Sequence, residues 1–186
     1  MSAGAGDPAG RVTFGLNEAA AAFGGGADHV ELVHAPRVWE VDDAGDTELG
    51  LAIELVYEGY LLHYRDSRLL PPATPGDRRL LAGDYFYAHG LSLIAGGEDT
   101  ARVGLLTRLM AACAYLRAER IDLAVDDQLW ELVVRGVAAP VGTRMRRAAV
   151  EAMQRFDEAI RAARPARLAA VATLGLEEVR RGEAVP

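Results

Sequence analysis

The chain reads as all-α, an antiparallel helical bundle with short connections, and three observations carry that reading. Ala, Leu, Val and Arg dominate a composition that is 51% apolar and only 6% aromatic, which favours helix over strand at most positions. Apolar residues recur at helical rather than alternating spacing through most of the 186 residues. The candidate helices are separated by clusters such as Gly24-Gly25-Gly26, Pro71-Pro72 and Gly96-Gly97, which punctuate helices. The length suits one domain with one core. The expected organisation is a tail over 1–12, a helical domain over 13–182 and a short tail over 183–186.

The Gly- and Pro-rich start up to about Arg11 has no periodicity and reads as a mobile tail. Asn17 to Phe23 is a short helix candidate with Asn17 as N-cap. Asp28 to His34 is a second, ending before Pro36. After an acidic turn over Val41 to Asp46, a long helix is expected from Thr47 to Arg65. Leu49, Ala52, Ile53, Val56, Tyr57, Tyr60, Leu61 and Tyr64 form its apolar stripe, and Leu51, Leu55 and Leu62 fill much of the opposite face, so the helix should be central. Thr74 as N-cap, Pro75 at the first helical position and Asp77 in the first turn start the next helix, which runs to Ala95. Further helices are expected over Asp99 to Arg120, Asp126 to Arg135, Thr143 to Arg164 and Ala166 to Arg181, with Asp126-Asp127 read as N-cap and first-turn acid.

The formal charge of −7 opposes a polyanionic partner, so nucleic-acid binding is not expected. All twenty cationic side chains are arginine, which excludes Schiff-base chemistry and a phosphate-loop lysine. The single cysteine, Cys113, lies in the apolar run LMAACAYL and reads as a buried thiol in a reduced compartment. No apolar stretch is long enough to span a bilayer, and the start has no charged and apolar leader pattern. A cytoplasmic protein without a membrane span is the expectation.

Two blocks stand out, Leu51 to Asp66 (LAIELVYEGYLLHYRD) and Arg78 to Ala95 (RRLLAGDYFYAHGLSLIA). Ala52, Glu54, Leu55, Leu61, Leu62 and His63 match the pattern A-x-E-L-L-H-x-A-x-L-I-H-D-D-x-x-D, and Leu81, Gly83, Asp84 and Ala88 match L-x-G-D-x-L-x-A. In these blocks the chain resembles the trans-type polyprenyl diphosphate synthases, as a truncated member of the isoprenoid synthase fold. That family uses Mg²⁺ bridged between two aspartate-rich motifs, since hard cations want several carboxylate oxygens. Here Tyr64 and Arg65 stand where the first two aspartates of the resembled motif would be, and Arg68 where the third would be. A guanidinium has no lone pair for a metal and repels it. The Lys-Thr pair, the second aspartate-rich motif and the Gly-Lys-x-x-Arg-Pro tract of the family have no counterpart: Arg135-Gly136 follows Leu129 to Val134, and Ala35 to Val41 reads APRVWEV.

The resemblance without the ligands implies a non-catalytic protein of isoprenoid biosynthesis, a partner or regulatory subunit of a full-length prenyl diphosphate synthase, in a homo-oligomer or heteromer and with no cofactor. Two alternatives stand beside it: a remodelled short prenyltransferase on allylic diphosphates, using Mg²⁺, or a non-enzymatic module that binds a prenyl or lipid chain. For catalysis the candidates are Asp84 and His63. A metal alternative is His63, Asp66 and Asp84, the first two at i, i+3 on one helix face, against the plainer reading that His63 and Asp84 are buried structural partners. The resemblance makes Tyr57, Tyr60, Tyr64, Tyr85 and Phe86 candidate lining for an apolar tunnel, against ordinary core packing. Glu54 and Glu58, at i, i+4, are a candidate acid/base pair or an ion-pair partner for an arginine of a neighbouring helix. Arg78, Arg79, Arg144, Arg146 and Arg147 are candidate diphosphate contacts.

Overall fold

A computed structural model describes residues 7–41, 46–96 and 99–183. Among them the chain is all-α with no strand, in the order α1 (Pro8–Ala21), α2 (Ala35–Val41), α3 (Thr47–Tyr64), α4 (Gly76–Ala95), α5 (Thr100–Ala118), α6 (Leu123–Ala138), α7 (Arg144–Arg161) and α8 (Pro165–Glu183). It divides into two compact units, Met1–Glu98 and Asp99–Pro186.

In the first unit, α1 begins earlier than expected, inside the presumed tail. Asp7 caps it by accepting from the amides of Ala9 and Gly10, and Pro8 opens the helix, the preferred pairing of acceptor and proline at an N-terminus. Asn17 is no N-cap; its side-chain amide instead bonds the backbone N–H and C=O of Ala27. Asp28 to His34 is not helical, and α2 starts one residue before Pro36, where a missing N–H costs nothing. Asp46 caps α3 at Leu49, while 42–45, the rest of the expected acidic turn, lie outside the described residues. The hydroxyl of Thr74 donates to Pro71 O and makes no bond to α4, which is entered through Pro75 without a side-chain cap.

The central placement of α3 holds: twelve of its residues are buried, on all sides of the helix. α4 packs antiparallel against it at very close range, because glycines stand at the contact. A methyl group at Gly90 would lie 2.6 Å from Ala52 O, one at Gly59 2.7 Å from the ring of Tyr87, and one at Gly83 2.7 Å from Nε2 of His63. The glycine of the Gly-Asp pair therefore serves helix packing. α1 lies on α3 through Val12, Leu16, Ala19 and Ala20, in one cluster with Leu55, Leu62, Ala82 and Phe86.

In the second unit α7 and α8 pack most extensively on each other, and α6 lies against α5, α7 and α8. Asp122 caps α6 at Ala124. Asp126 is accordingly not the N-cap; it is fully buried and accepts from Arg117 of α5 at 2.8 Å, a partner a buried carboxylate requires. Thr143, expected as the first residue of this helix, is its N-cap and accepts from Arg146 N. Cys113, the single cysteine, is buried and in no disulfide. Among the described residues no helix is long and apolar enough to cross a membrane.

Candidate functional site

A buried polar cluster of the first unit is built on one face of α3. Glu54 and Glu58 stand one turn apart and neither exposes any surface. Two ionised carboxylates in such a place require compensation, and the chain after α3 supplies it by turning back. The turn is set by Ser67, whose hydroxyl oxygen accepts from the amides of Leu69 and Leu70 at 3.1 and 2.8 Å and whose proton goes to Glu58 Oε1 at 2.5 Å. This carries Arg68 under α3.

The Arg68 guanidinium bridges both acids, Nη1 to Glu54 Oε2 at 2.6 Å and Nε to Glu58 Oε2 at 2.8 Å. Nη1 also donates to Glu31 O at 2.9 Å and Nη2 to Glu54 O at 3.3 Å. The remaining oxygens are used as well. Glu54 Oε1 accepts from the amides of His34 and Ala35 at 2.6 and 2.9 Å, so α3 caps the start of α2, and Glu58 Oε1 accepts from Arg68 N at 3.1 Å. Burial pushes the Arg68 guanidinium toward losing its proton, but the charges and hydrogen bonds of Glu54 and Glu58 outweigh it and hold Arg68 above its ordinary value.

The aromatic lid of this cluster is Tyr57. Arg68 Cζ lies 5.0 Å from its ring centroid, and His34 meets the same ring edge-on at 4.4 Å. His34 is pushed down to about 3, first by burial and then by the charges of Arg37 and Arg68. It is therefore neutral at physiological pH.

The predicted residues fall into two further groups. His63 and Asp84 are paired, Nε2 to Oδ1 3.3 Å, but with side-chain exposures of 15% and 74%, so Asp84 is a surface residue where a buried one was expected. Asp66 is exposed, and among the described residues no three His, Cys, Asp or Glu side chains are grouped so as to hold a metal. Of the five candidate tunnel residues, Tyr57, Tyr60 and Tyr64 form a row at 6.0 and 5.5 Å between centroids. Tyr85 packs on Phe23, in the turn after α1, at 5.4 Å, and Phe86 is fully buried in the α1 cluster. Arg65 Nε donates to the Tyr60 hydroxyl at 2.9 Å. Arg79 donates to Arg65 O at 2.7 Å, closing the carbonyl end of α3 with a cation. In the second unit Arg146 is buried and donates to Asp99 Oδ2 at 2.7 Å and to the carbonyls of Val137 and Ala139.

Ser67 and His34 are the members of the cluster that sequence reasoning did not single out. Ser67 carried a weak signal, a small turn residue shortly after a helix end and before Pro71-Pro72; His34 carried none. The neighbouring-helix arginine expected for Glu54 or Glu58 is instead Arg68, from the loop after the same helix, and it serves both. Compared with known proteins, the chain matches no family model, no curated protein and no solved structure.

Proposed function

We propose that this protein is a non-catalytic helical subunit that works by association, and that its partner is a full-length prenyl diphosphate synthase whose product length it adjusts. Two things support the reading. The first is the resemblance of Leu51 to Asp66 and Arg78 to Ala95 to the signature helices of that family.

The second, which carries it, is the Arg68 cluster. At the place of the third aspartate of the resembled motif the chain has a cation, and that cation already occupies the two nearest carboxylates of α3. A divalent ion would have to displace a guanidinium that holds both acids while also ordering the turn through its own amide. The residues fit an internal ion pair in place of Mg²⁺, so no ionisation step is assigned to this chain.

The experiment is coexpression with a full-length prenyl diphosphate synthase of the same organism. The proposal predicts copurification and a changed product length; no association at micromolar concentration would overturn it. Mg²⁺-dependent turnover of farnesyl diphosphate by the isolated chain, lost on Asp84→Asn, would replace it with a remodelled prenyltransferase. A lipid retained in native mass spectra, without any association, would replace it with a binding module.

A further inference from the structure

The second unit contains a cavity of about 340 Å³ between α7 and α8, lined by Arg144, Arg147, Arg155 and Arg181 together with Glu151 and Glu178. In a chain of net charge −7 this is a local excess of two positive charges in one depression. We infer that it is a binding site for a small di- or polyphosphate group, free or carried on a larger molecule.

Of the four arginines, Arg147 and Arg181 are held in place rather than neutralised. Arg155 is bridged to Glu178 across the two helices. Arg147 donates one Nη1 proton to Gly142 O at 2.5 Å, and Arg181 uses Nε on Glu177 O at 3.3 Å. Each of these two guanidiniums is thus anchored to backbone at one corner with its other N–H groups left for a ligand. No carboxylate partner is found for Arg144, Arg147 or Arg181 among the described residues. A planar fork of donors suits phosphate oxygens above other anions, and arginines on two facing helices suit a group with two phosphates rather than one.

The placement also runs against helix electrostatics. The first turn of α7 has no acidic residue and carries Arg144, Arg146 and Arg147, although cations are disfavoured at the positive end of the helix dipole. Arg146 is explained by its bonds to Asp99 and two carbonyls. Arg147 gains only its one bond to Gly142 O, and an anion bound in the cavity would supply Arg144 and Arg147 with a charged partner: the helix end and the side chains then act on it together. The volume exceeds that of a single water several times over, enough for a diphosphate with part of its hydration shell. Glu151 is the opposing charge on the wall and sets the affinity below what the arginines alone would give.

The inference is independent of the proposed subunit role, since it rests on other residues in the other unit. It is tested by calorimetric titration of the full chain with inorganic diphosphate and inorganic phosphate at low and physiological salt. Saturable binding of diphosphate below about 1 mM, tighter than phosphate and weaker at high salt, is expected. Arg147→Gln with Arg181→Gln should lower the affinity about tenfold or more, and Glu151→Gln should raise it, while Arg164→Gln, exposed in the same unit but outside the cavity, should leave it unchanged. Flotation with vesicles containing phosphatidic acid distinguishes the source: retention lost in the Arg147→Gln/Arg181→Gln chain, without binding of free diphosphate, assigns the site to a lipid headgroup. Absence of binding in both arms, or binding that the double variant keeps, would overturn the inference. All the variants alter exposed side chains, and circular dichroism confirms that they fold.

Discussion

Arg68 Nη1 lies 2.6 Å from Glu54 Oε2, inside the first unit and against a carboxylate with no exposed surface. With Glu58 on its Nε, this arginine does the electrostatic work that a bound cation would do for two buried acids. The consequences can be measured.

Removing the cation alone should be costly. Arg68→Met leaves Glu54 and Glu58 buried without compensation, and the expected loss is about 3–5 kcal/mol of unfolding free energy. Adding Glu54→Gln and Glu58→Gln to it should recover a large part, since no charge then stays buried. Urea unfolding of the three chains reads both effects; a loss below about 1 kcal/mol for Arg68→Met would mean that the pair is not what holds the turn.

His34 makes stability depend on pH. It is held down to about 3 in the folded chain and titrates near 6.5 when unfolded, so between these values the unfolded chain binds the extra proton. Its contribution is complete above about pH 6.5 and is lost as pH falls, with a slope approaching 1.4 kcal/mol per pH unit. His34→Phe keeps a ring against Tyr57 and should flatten the slope between about pH 6.5 and 4.5. That window lies above the carboxylates of Asp99 and Glu131, both of which are held low by arginines against the opposing effect of burial. An unchanged slope in the variant would assign the pH dependence elsewhere.

Two glycines in helices should respond in opposite directions to the same substitution. At Gly90 a methyl group would meet backbone, Ala52 O at 2.6 Å and Val56 N at 3.0 Å, so Gly90→Ala should push α3 and α4 apart at a cost of about 1–3 kcal/mol or more. At Gly104, inside α5, a methyl group meets nothing within 4 Å, and Gly104→Ala should stabilise by about 0.5–1 kcal/mol. Thermal unfolding distinguishes them; equal effects would contradict the close α3–α4 contact.

The His63–Asp84 pair should matter little to stability. With Asp84 largely in water, Asp84→Ala should change the unfolding free energy by less than about 1 kcal/mol. A loss of several kcal/mol would restore the buried structural role first expected of it.

Much of the fold was legible because long amphipathic helices announce themselves. α3, α4, α5 and α7 lie within a few residues of the spacing-based expectation, while the caps that Asp46 and Thr143 supply were not singled out in the sequence. The errors came where several acceptors or punctuating residues competed. Asp7-Pro8 is a stronger helix start than Asn17, but the surrounding glycines and alanines hid the apolar stripe of Val12, Leu16 and Ala19. Asp122 lost to Asp126 as the cap of α6 because burial of Asp126 against Arg117 is a tertiary fact.

The candidate site was half legible. Arg68 stood out only against the resembled motif, as a cation where that motif has an acid, and Glu54 and Glu58 share a helix face by spacing alone. That one arginine serves both acids depends on the reversal at Ser67, which no periodicity contains, and the shift of His34 depends on the α2–α3 packing around it.

The most direct measurement is Mn²⁺ binding to the intact protein, followed by electron paramagnetic resonance, with Mn²⁺ standing in for Mg²⁺. The account predicts the spectrum of the free ion at millimolar concentration, because Arg68 already occupies the carboxylates of α3. A bound ion that disappears in a chain carrying Glu54→Gln and Glu58→Gln would contradict it.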